Sequence, residues 1–287
     1  MATQVVIGPS SRKLAESIAK QLKDEKVGVQ RKKFPDGESY IRLEKPIKKG
    51  AKVVVVQTLF PQNDAIVELL LMLDVVNEFK PKSVTAVIPY FAYARQHKRY
   101  LKWEAIAAKT VASLIDAKVD KVLLVDVHDR ILLKFFKKAK ELSAASLISD
   151  HFKKIKDPFV LVPDQERGDF AKAIATRLGC EFSWLSKHRD RETGKVTTKI
   201  RKKIDVLGKN VLIVDDIISS GHTMLNAIEI LKKLGVKGVY VAATHYLATG
   251  AHKKILAAGA KEVVATNSIE SEIGKIDIAK TVADELW

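Results

Sequence analysis

Short apolar runs alternate with amphipathic stretches along the whole chain, and this alternation predicts parallel β-sheets flanked by helices. The predicted strands are Val5–Ile7, Val53–Val56, Val84–Ile88, Val122–Val125, Phe159–Val162, Val211–Val214 and Val239–Ala243. The predicted helices are Ser11–Leu22, Asp64–Phe79, Glu104–Ile115, Asp169–Leu178 and Thr223–Leu234. The continuous apolar runs are typical of strands that are buried on both faces. We therefore expect an α/β fold.

An internal repeat divides this pattern into two halves. Residues 53–65 align without a gap on residues 211–223, and the next helix and strand follow in both copies. The repeat predicts two similar α/β domains, comprising residues 1–143 and 144–287. Gln57 and Thr58 occupy the positions of Asp215 and Asp216, so we expect only the second copy to retain the chemistry of this acid pair.

Composition limits the classes of protein to which the chain can belong. Its 287 residues contain one cysteine, Cys180, which excludes an intrachain disulfide framework and favours a reducing compartment. Residues 1–30 lack a signal-peptide pattern, and the apolar stretch Ala65–Leu73 is too short to span a membrane. The net charge is +16, but the lysines are scattered along the chain. We expect a cytoplasmic protein without a nucleic-acid or membrane partner.

The segment 211–223 indicates the function most directly. A buried strand ends in Asp215 and Asp216, a loop of small residues follows, and a helix begins. Backbone N–H groups of such a loop bind phosphate, whereas carboxylates accept hydrogen bonds from sugar hydroxyls, directly or through Mg²⁺. The pattern therefore favours a ribose 5-phosphate site over an ordinary turn with solvated acids. The residues of this predicted site are Asp215, Asp216, Ser219, Ser220, Gly221, His222 and Thr223.

Two other segments have the composition of a nucleotide site. Residues 89–99 follow a buried strand and combine aromatic rings with guanidinium groups, which suit stacking on a base and pairing with phosphates. A loop that packs its aromatics against the domain is an equally good interpretation of this pattern. Phe34–Glu38 is a turn with an aromatic residue at its entrance and acids at its tip, and by itself it predicts only a turn.

Polar residues at two further strand ends are candidate metal ligands. His128 lies between Asp126 and Asp129 after one strand, and Asp164 follows another. Because Mg²⁺ prefers oxygen ligands, His128 is as readily a loop residue as a ligand.

Residues 184–195 predict two strands joined by a charged turn. An exposed hairpin with solvated charges is one interpretation. The other is an arm whose cations neutralise charge on a transferred phosphoryl group.

Taken together, these motifs resemble ribose-phosphate pyrophosphokinases from Val5 to about Thr266. The resemblance implies two domains that are similar to type I phosphoribosyltransferases, each a largely parallel sheet flanked by helices. It also implies a homo-oligomer, since the Phe34–Glu38 turn reaches the ATP site of a neighbouring subunit in that family. The residues implied to bind ATP are Phe34, Asp36, Glu38, Arg95, Gln96 and His97. The implied metal-associated residues for Mg²⁺ are His128 and Asp164, and the implied catalytic residues are Lys187 and Arg189.

Three segments depart from the family pattern. They are Gln165–Arg167 in place of a small turn, Asp129–Leu132 after the Asp-x-His motif, and His97 in place of aspartate. These departures favour a divergent, archaeal-type member. The expected reaction transfers the diphosphoryl group of Mg-ATP to ribose 5-phosphate, giving 5-phosphoribosyl 1-diphosphate and AMP. A phosphoribosyltransferase and a non-catalytic subunit of the same family are the alternatives.

Overall fold

A computed structural model describes residues 3–189, 196–200 and 205–286, with the backbone alone for 186–189 and 196–200. The chain divides into two structural units. The first contains Met1–Ser143, Asn267–Glu270 and Asp277–Trp287, and the second contains Ala144–Thr266 and Ser271–Ile276. The sequence predicts one division, after residue 143, whereas in the structure two short segments near the C-terminus group with the first unit.

The first unit is a parallel sheet flanked by helices, with a separate hairpin. Its six-stranded sheet has the order β2-β1-β5-β6-β7-β8, and all neighbouring strands are parallel; the hairpin β3-β4 is antiparallel. The strands are β1 (Thr3–Ile7), β2 (Glu25–Val27), β3 (Val29–Lys33), β4 (Ser39–Leu43), β5 (Lys52–Val56), β6 (Ser83–Ile88), β7 (Lys121–Val125) and β8 (Ala139–Leu142). The helices are α1 (Arg12–Leu22), α2 (Gln62–Glu78), α3 (Ala107–Asp116) and the C-terminal α8 (Ala279–Ala283), which packs on α1.

The second unit contains a seven-stranded sheet of order β11-β10-β9-β12-β13-β14-β15, parallel except for the antiparallel pair β10-β11. Its strands are β9 (Pro158–Val162), β10 (Glu181–Arg189), β11 (Val196–Ile200), β12 (Asn210–Ile218), β13 (Gly238–Tyr246), β14 (Ala260–Thr266) and β15 (Gly274–Ile276). Its helices are α4 (Ala145–Phe152), α5 (Gly168–Leu178), α6 (His222–Lys233) and α7 (Ala251–Ala257).

The core of the second unit explains why β12 is so apolar. Val211 and Ile213 pack with Ile228 and Leu231 of α6, and all four side chains are buried. Burying a side chain of this size contributes roughly 1.5–3 kcal/mol relative to leaving it in water. The packing of these apolar residues therefore fixes the position of β12 in the sheet. Because the polar residues later in β12 belong to the same strand, the same packing positions their backbone.

The two sheets repeat one topology. The order β2-β1-β5-β6-β7-β8 in the first corresponds to β10-β9-β12-β13-β14-β15 in the second, with β5–α2 and β12–α6 in equivalent places. This confirms the predicted α/β class with two similar domains. All seven predicted strands and five predicted helices are present. Within the described residues, no helix combines the length and apolar character needed to cross a bilayer.

Candidate active site

The acid pair lies inside β12, which continues to Ile218, rather than just past the end of the strand. Parallel pairing with β13 holds this part of the strand, with Asp215 opposite Ala243 and Ile217 opposite His245. The backbone N–H of Asp216 donates to Oδ1 of Asp215 at 2.9 Å. The sheet therefore fixes the backbone of both acids, and the backbone of Asp216 orients the carboxylate of Asp215.

Arg167 is a partner of the acid pair that the sequence did not identify. Its guanidinium forms an ion pair with Oδ2 of Asp216, whose side chain is only 4% exposed. Arg167 ends a short 3-10 helix, Gln165–Arg167, which begins after Asp164. The sequence contained a hint of this contact, because Gln165–Arg167 departs from the family pattern. Arg167 and Asp216 are 49 positions apart, however, so the sequence did not indicate that Arg167 contacts β12. A charge-assisted contact of this kind holds the Asp216 carboxylate in one orientation.

Burial raises the pKa of the Asp215 carboxyl well above its usual range, and the neighbouring charge of Asp216 raises the pKa further. The guanidinium of Arg167 acts in the opposite direction. The two carboxylates thus repel each other in a poorly solvated place, which is an environment that favours a bound cation or hydroxyl donors.

The raised pKa of Asp215 predicts a pH-dependent cost of folding. The folded chain keeps the proton to higher pH than the unfolded chain, so the free energy of unfolding falls as pH rises from about 4 through the raised pKa. Asp215→Asn should therefore raise the free energy of unfolding at neutral pH, by an amount on the order of 1 kcal/mol. Urea titrations with EDTA present measure this difference, which should vanish toward pH 4. Equal stability of variant and wild type at every pH would contradict it.

The phosphate-loop residues connect β12 to α6. Ser219 and Ser220 are exposed, and Nδ1 of His222 lies 3.0 Å from Oγ of Ser220. Gly221 has a φ of 82°, and a Cβ there would lie 3.2 Å from Cβ of Ala251. The left-handed backbone therefore favours glycine, and a Cβ at this position would also crowd Ala251 of α7. The loop leaves the N-terminus of α6 open to an anion.

The equivalent place in the first unit is filled by its own side chains. Gln57 and Thr58 are both buried, and Oε1 of Gln57 accepts the backbone N–H of Ser10 at 3.0 Å. The backbone N–H of Thr58 donates to Oγ of Ser11 at 2.7 Å. These contacts stabilise the fold of the first unit, and neither Gln57 nor Thr58 supplies a carboxylate for a sugar.

The Phe34–Glu38 segment is the turn of the β3-β4 hairpin. The N–H of Phe34 donates to the carbonyl of Glu38 at 2.8 Å, and the N–H of Glu38 donates to Oδ1 of Asp36 at 3.1 Å. Phe34 is 48% exposed. Lys33 anchors the hairpin to α2 through Asp64, at 2.7 Å. The structure thus presents the aromatic ring and the acids of this turn to solvent.

The predicted nucleotide loop divides into exposed and buried parts. Arg95 and Gln96 are exposed, whereas His97 is buried, with Nδ1 3.1 Å from the carbonyl of Ala94. Nε2 of His97 lies 3.1 Å from Oδ2 of Asp129, close enough for an ion pair although the two are not aligned as a hydrogen bond. Two of the residues that depart from the family pattern, His97 and Asp129, are therefore in contact.

The candidate metal ligands lie after β7 and β9. His128 is half-buried, and its ring centroid lies 6.4 Å from that of His97. Oδ1 of Asp164 accepts the N–H of Glu166 at 3.1 Å. Among the described residues, no three His, Cys, Asp or Glu side chains converge to hold an ion by themselves. The carboxylate of Asp164 fits Mg²⁺, which proteins usually hold through one or two carboxylates together with substrate phosphates, whereas an imidazole such as that of His128 is a less favoured ligand.

Lys187 and Arg189 belong to β10, which pairs with β11 as the predicted hairpin. Lys187 is opposite Thr198 and Arg189 is opposite Val196. The side chains of both residues lie outside the described part of the chain, as does the charged turn between the strands. Their predicted catalytic role stays a prediction.

Comparisons with known proteins agree with these motifs. Residues 3–118 match the family model of the N-terminal domain of ribose phosphate pyrophosphokinase, and residues 132–274 match that of the phosphoribosyl transferase domain. The chain is 38% identical to ribose-phosphate pyrophosphokinase of Methanothermobacter thermautotrophicus over 284 residues, which cover 98% of this chain and 99% of that one. It is also 38% identical to the enzyme of that name from Pyrococcus furiosus over 286 residues, covering 98% and 100%.

A solved structure is similar to this chain over nearly its whole length. The crystal structure of phosphoribosylpyrophosphate synthetase from Mycobacterium smegmatis superposes with a TM-score of 0.87 at 28% identity, over 99% of this chain and 97% of that one. The similarity thus spans both units. The chain belongs to the ribose-phosphate pyrophosphokinase family.

Proposed function

We propose that the chain transfers the β,γ-diphosphoryl group of Mg-ATP to the 1-hydroxyl of ribose 5-phosphate. The oxygen of that hydroxyl forms a bond to the β-phosphorus, and the bond from the β-phosphorus to the oxygen that bridges it to the α-phosphorus breaks. The products are 5-phosphoribosyl 1-diphosphate and AMP, and the hydroxyl proton passes to solvent. The observation that carries this proposal is the acid pair and phosphate loop on β12–α6 within a full-length family match.

The residues of the second unit supply the sugar site in this proposal. Asp215 and Asp216 accept hydrogen bonds from the ribose hydroxyls, and the loop of residues 219–223 binds the 5-phosphate through backbone N–H groups. Because the sheet fixes β12, the sugar is oriented before reaction, which lowers the entropic part of the barrier. Arg167 must share or release Asp216 when the sugar binds.

The remaining groups bind and neutralise the diphosphoryl donor. In the proposal Phe34, Asp36 and Glu38 of the hairpin turn, with Arg95, Gln96 and His97, bind ATP. Asp164 and His128 are the proposed metal-associated residues, and bound Mg²⁺ would neutralise charge on the phosphate oxygens. Lys187 and Arg189 stabilise the negative charge that develops on the transferred group. No residue is assigned as a general base in this proposal, because positioning and charge neutralisation account for most of the catalysis of phosphoryl transfer.

We also propose that the chain acts as a cytoplasmic homo-oligomer. The Phe34–Glu38 turn projects from a hairpin that is separate from the main sheet of its unit, and its aromatic ring is exposed. Such a turn is suited to reach the ATP site of a neighbouring subunit. The single cysteine of the chain is compatible with the reducing cytoplasm.

The activity is tested by incubating the purified chain with ribose 5-phosphate, ATP and Mg²⁺ and separating nucleotides by chromatography. AMP that forms only when all three are present is the expected result. ADP instead of AMP would indicate transfer of a single phosphoryl group. Binding of ribose 5-phosphate without any turnover would contradict the proposal and favour a non-catalytic subunit.

A further inference from the structure

The hairpin β3-β4, which carries the Phe34–Glu38 turn, is weakly packed. Four of the five residues of β3 are exposed, and those of β4 alternate between half-buried and exposed. Val29, the first residue of β3, is buried. A two-stranded hairpin is only marginally stable by itself, and a segment with few buried apolar side chains opens easily. The direction in which this hairpin presents its turn therefore depends on polar contacts with the rest of its unit.

Glu68 of α2 is a buried carboxylate that contacts this hairpin and has no role in the proposed chemistry. The residue is 0% exposed, and its Oε1 lies 2.6 Å from Nε of Arg31 on β3. Its Oε2 accepts a hydrogen bond from Nε2 of Gln57 at 3.4 Å. Burial raises the pKa of the Glu68 carboxyl, whereas the guanidinium of Arg31 lowers it. Because apolar residues of similar volume often stabilise a protein as well as a buried ion pair does, this pair favours a role in orientation.

A second ion pair runs in register with the first. Nζ of Lys33 lies 2.7 Å from Oδ2 of Asp64. Arg31 and Lys33 are two residues apart on β3, so their side chains leave the same face of the strand, about 7 Å from each other. Glu68 and Asp64 are four residues apart on α2, which places them on one face of the helix at a spacing of about 6 Å. The two cations thus match the two acids and fix the direction of β3 along α2, and the turn begins at the residue after Lys33.

The equivalent helix of the second unit has a different residue at this position. The alignment of residues 53–65 with 211–223, continued along the helix, places Glu68 opposite Asn226. Asn226 is exposed, whereas Glu68 is buried. The buried carboxylate is therefore not part of the scaffold that the two units share. It accompanies the hairpin of the first unit.

We propose that Arg31 and Glu68 are positioning residues for ATP, because their ion pair sets the direction in which the hairpin presents Phe34, Asp36 and Glu38. This inference rests on the proposed function, in which that turn binds ATP. Neither Arg31 nor Glu68 contacts the nucleotide in this proposal. A hairpin that is held in one orientation loses less conformational freedom when ATP binds, so the nucleotide binds more tightly. Apolar side chains of the same size would retain the packing but would not impose one direction.

The double variant Arg31→Met/Glu68→Met separates orientation from stability. It removes both charges together, so no unpaired carboxylate stays buried and the midpoint of thermal unfolding should change little. The Kd for Mg-ATP should rise by on the order of tenfold, whereas the Kd for ribose 5-phosphate should not change. Calorimetric titration with each substrate alone gives the two constants. Sedimentation velocity measures whether the variant retains the assembly of the wild type.

Two further variants make this result specific. Arg31→Lys keeps a cation opposite Glu68 and should recover part of the affinity for Mg-ATP, although it lacks the planar guanidinium. Asp74→Asn is the matched control, because it removes a 2.6 Å ion pair that Asp74 of the same helix forms with Lys118. This control should leave both dissociation constants unchanged. Amide hydrogen exchange of residues 34–38, measured without substrates, should be faster in the double variant than in wild type or in the control.

The outcomes distinguish this inference from the proposed function. Unchanged affinity for Mg-ATP in the double variant would overturn the inference alone, while AMP formation by the wild type would still support the proposed function. Weaker ATP binding with unchanged hydrogen exchange would also overturn it, because the turn would not have gained freedom. Equal weakening of both substrates, or dissociation of the assembly, would assign the ion pair to the fold or to the interface. Failure of the wild type to bind Mg-ATP would overturn the proposed function and this role with it.

Discussion

Replacing Lys187 with alanine is expected to lower kcat by roughly 10²–10³-fold while the Kd for Mg-ATP changes little. The proposed role of the ammonium is to neutralise charge that develops on the diphosphoryl group as it is transferred. A contact of this kind is stronger in the transition state than in the ground state, so its loss reduces turnover rather than binding. The rate of AMP formation and the direct titration of Mg-ATP measure the two quantities separately.

Two further variants make the Lys187 result specific. Lys187→Arg keeps a cation on β10 and should retain more activity than Lys187→Ala, although the planar guanidinium does not reproduce the geometry of an ammonium group. Lys172→Ala removes an exposed lysine from α5 of the same unit and should leave kcat unchanged. Unchanged turnover in Lys187→Ala would remove this arm from the mechanism. An equal loss of ATP affinity would assign Lys187 to substrate binding.

The central strands and the longer helices were predictable because the two main sheets are parallel apart from the pair β10-β11 and are largely buried. Strands such as Val53–Val56 are continuous apolar runs, since helices cover both faces of the sheet, and the amphipathic stretches between them retain helical spacing. The shorter helices were not predicted, and neither was the seven-residue strand β14. The helix α7 has seven residues and α8 has five, and elements of that length have too few turns for a periodic pattern.

Two contacts of the candidate site could not be predicted from the sequence because they depend on long-range packing. Arg167 and Asp216 are 49 positions apart, and only the pairing of β9 with β12 brings the turn after β9 next to the acid pair. The link between His97 and Asp129 arises in the same way, from loops that follow the neighbouring strands β6 and β7. Both contacts involve residues that departed from the family pattern. Two of the departures, His97 and Asp129, thus contact each other, and a third, Arg167, contacts the acid pair, which a single sequence does not show.

The buried hydrogen bonds of Gln57 and Thr58 in the first unit also depend on long-range packing. Gln57 and Thr58 align with the acid pair, and from this alignment the loss of sugar chemistry was predictable. Their structural role was not, because it depends on Ser10 and Ser11 in a distant loop. Polar residues at the end of a buried strand are therefore compatible either with a ligand-binding site or with a structural hydrogen-bond network. Only the hydrogen-bond partners of these residues, which the structure shows, distinguish the two roles.

Replacing Asp216 with alanine is expected to weaken ribose 5-phosphate binding by roughly 10- to 100-fold and to change the Kd for ATP little. The Asp216 carboxylate is proposed to accept hydrogen bonds from the ribose hydroxyls, and hydrogen bonds to a charged group are stronger than neutral ones. Titrations with each substrate alone give the two dissociation constants. A larger loss of ATP affinity would mean that the sugar and nucleotide pockets are assigned wrongly.

Arg167→Ala is the matched variant, because it breaks the same ion pair from the other side. Asp216→Ala leaves a guanidinium whose side chain is 14% exposed without its carboxylate, and that alone destabilises the region. Arg167→Ala also removes the ion pair, but it keeps the Asp216 carboxylate that is proposed to accept hydrogen bonds from the ribose hydroxyls. If Asp216 binds the sugar, Arg167→Ala should retain or strengthen ribose 5-phosphate binding, since the sugar no longer competes with the guanidinium. Equal weakening in both variants would show that the ion pair, rather than the carboxylate, determines affinity.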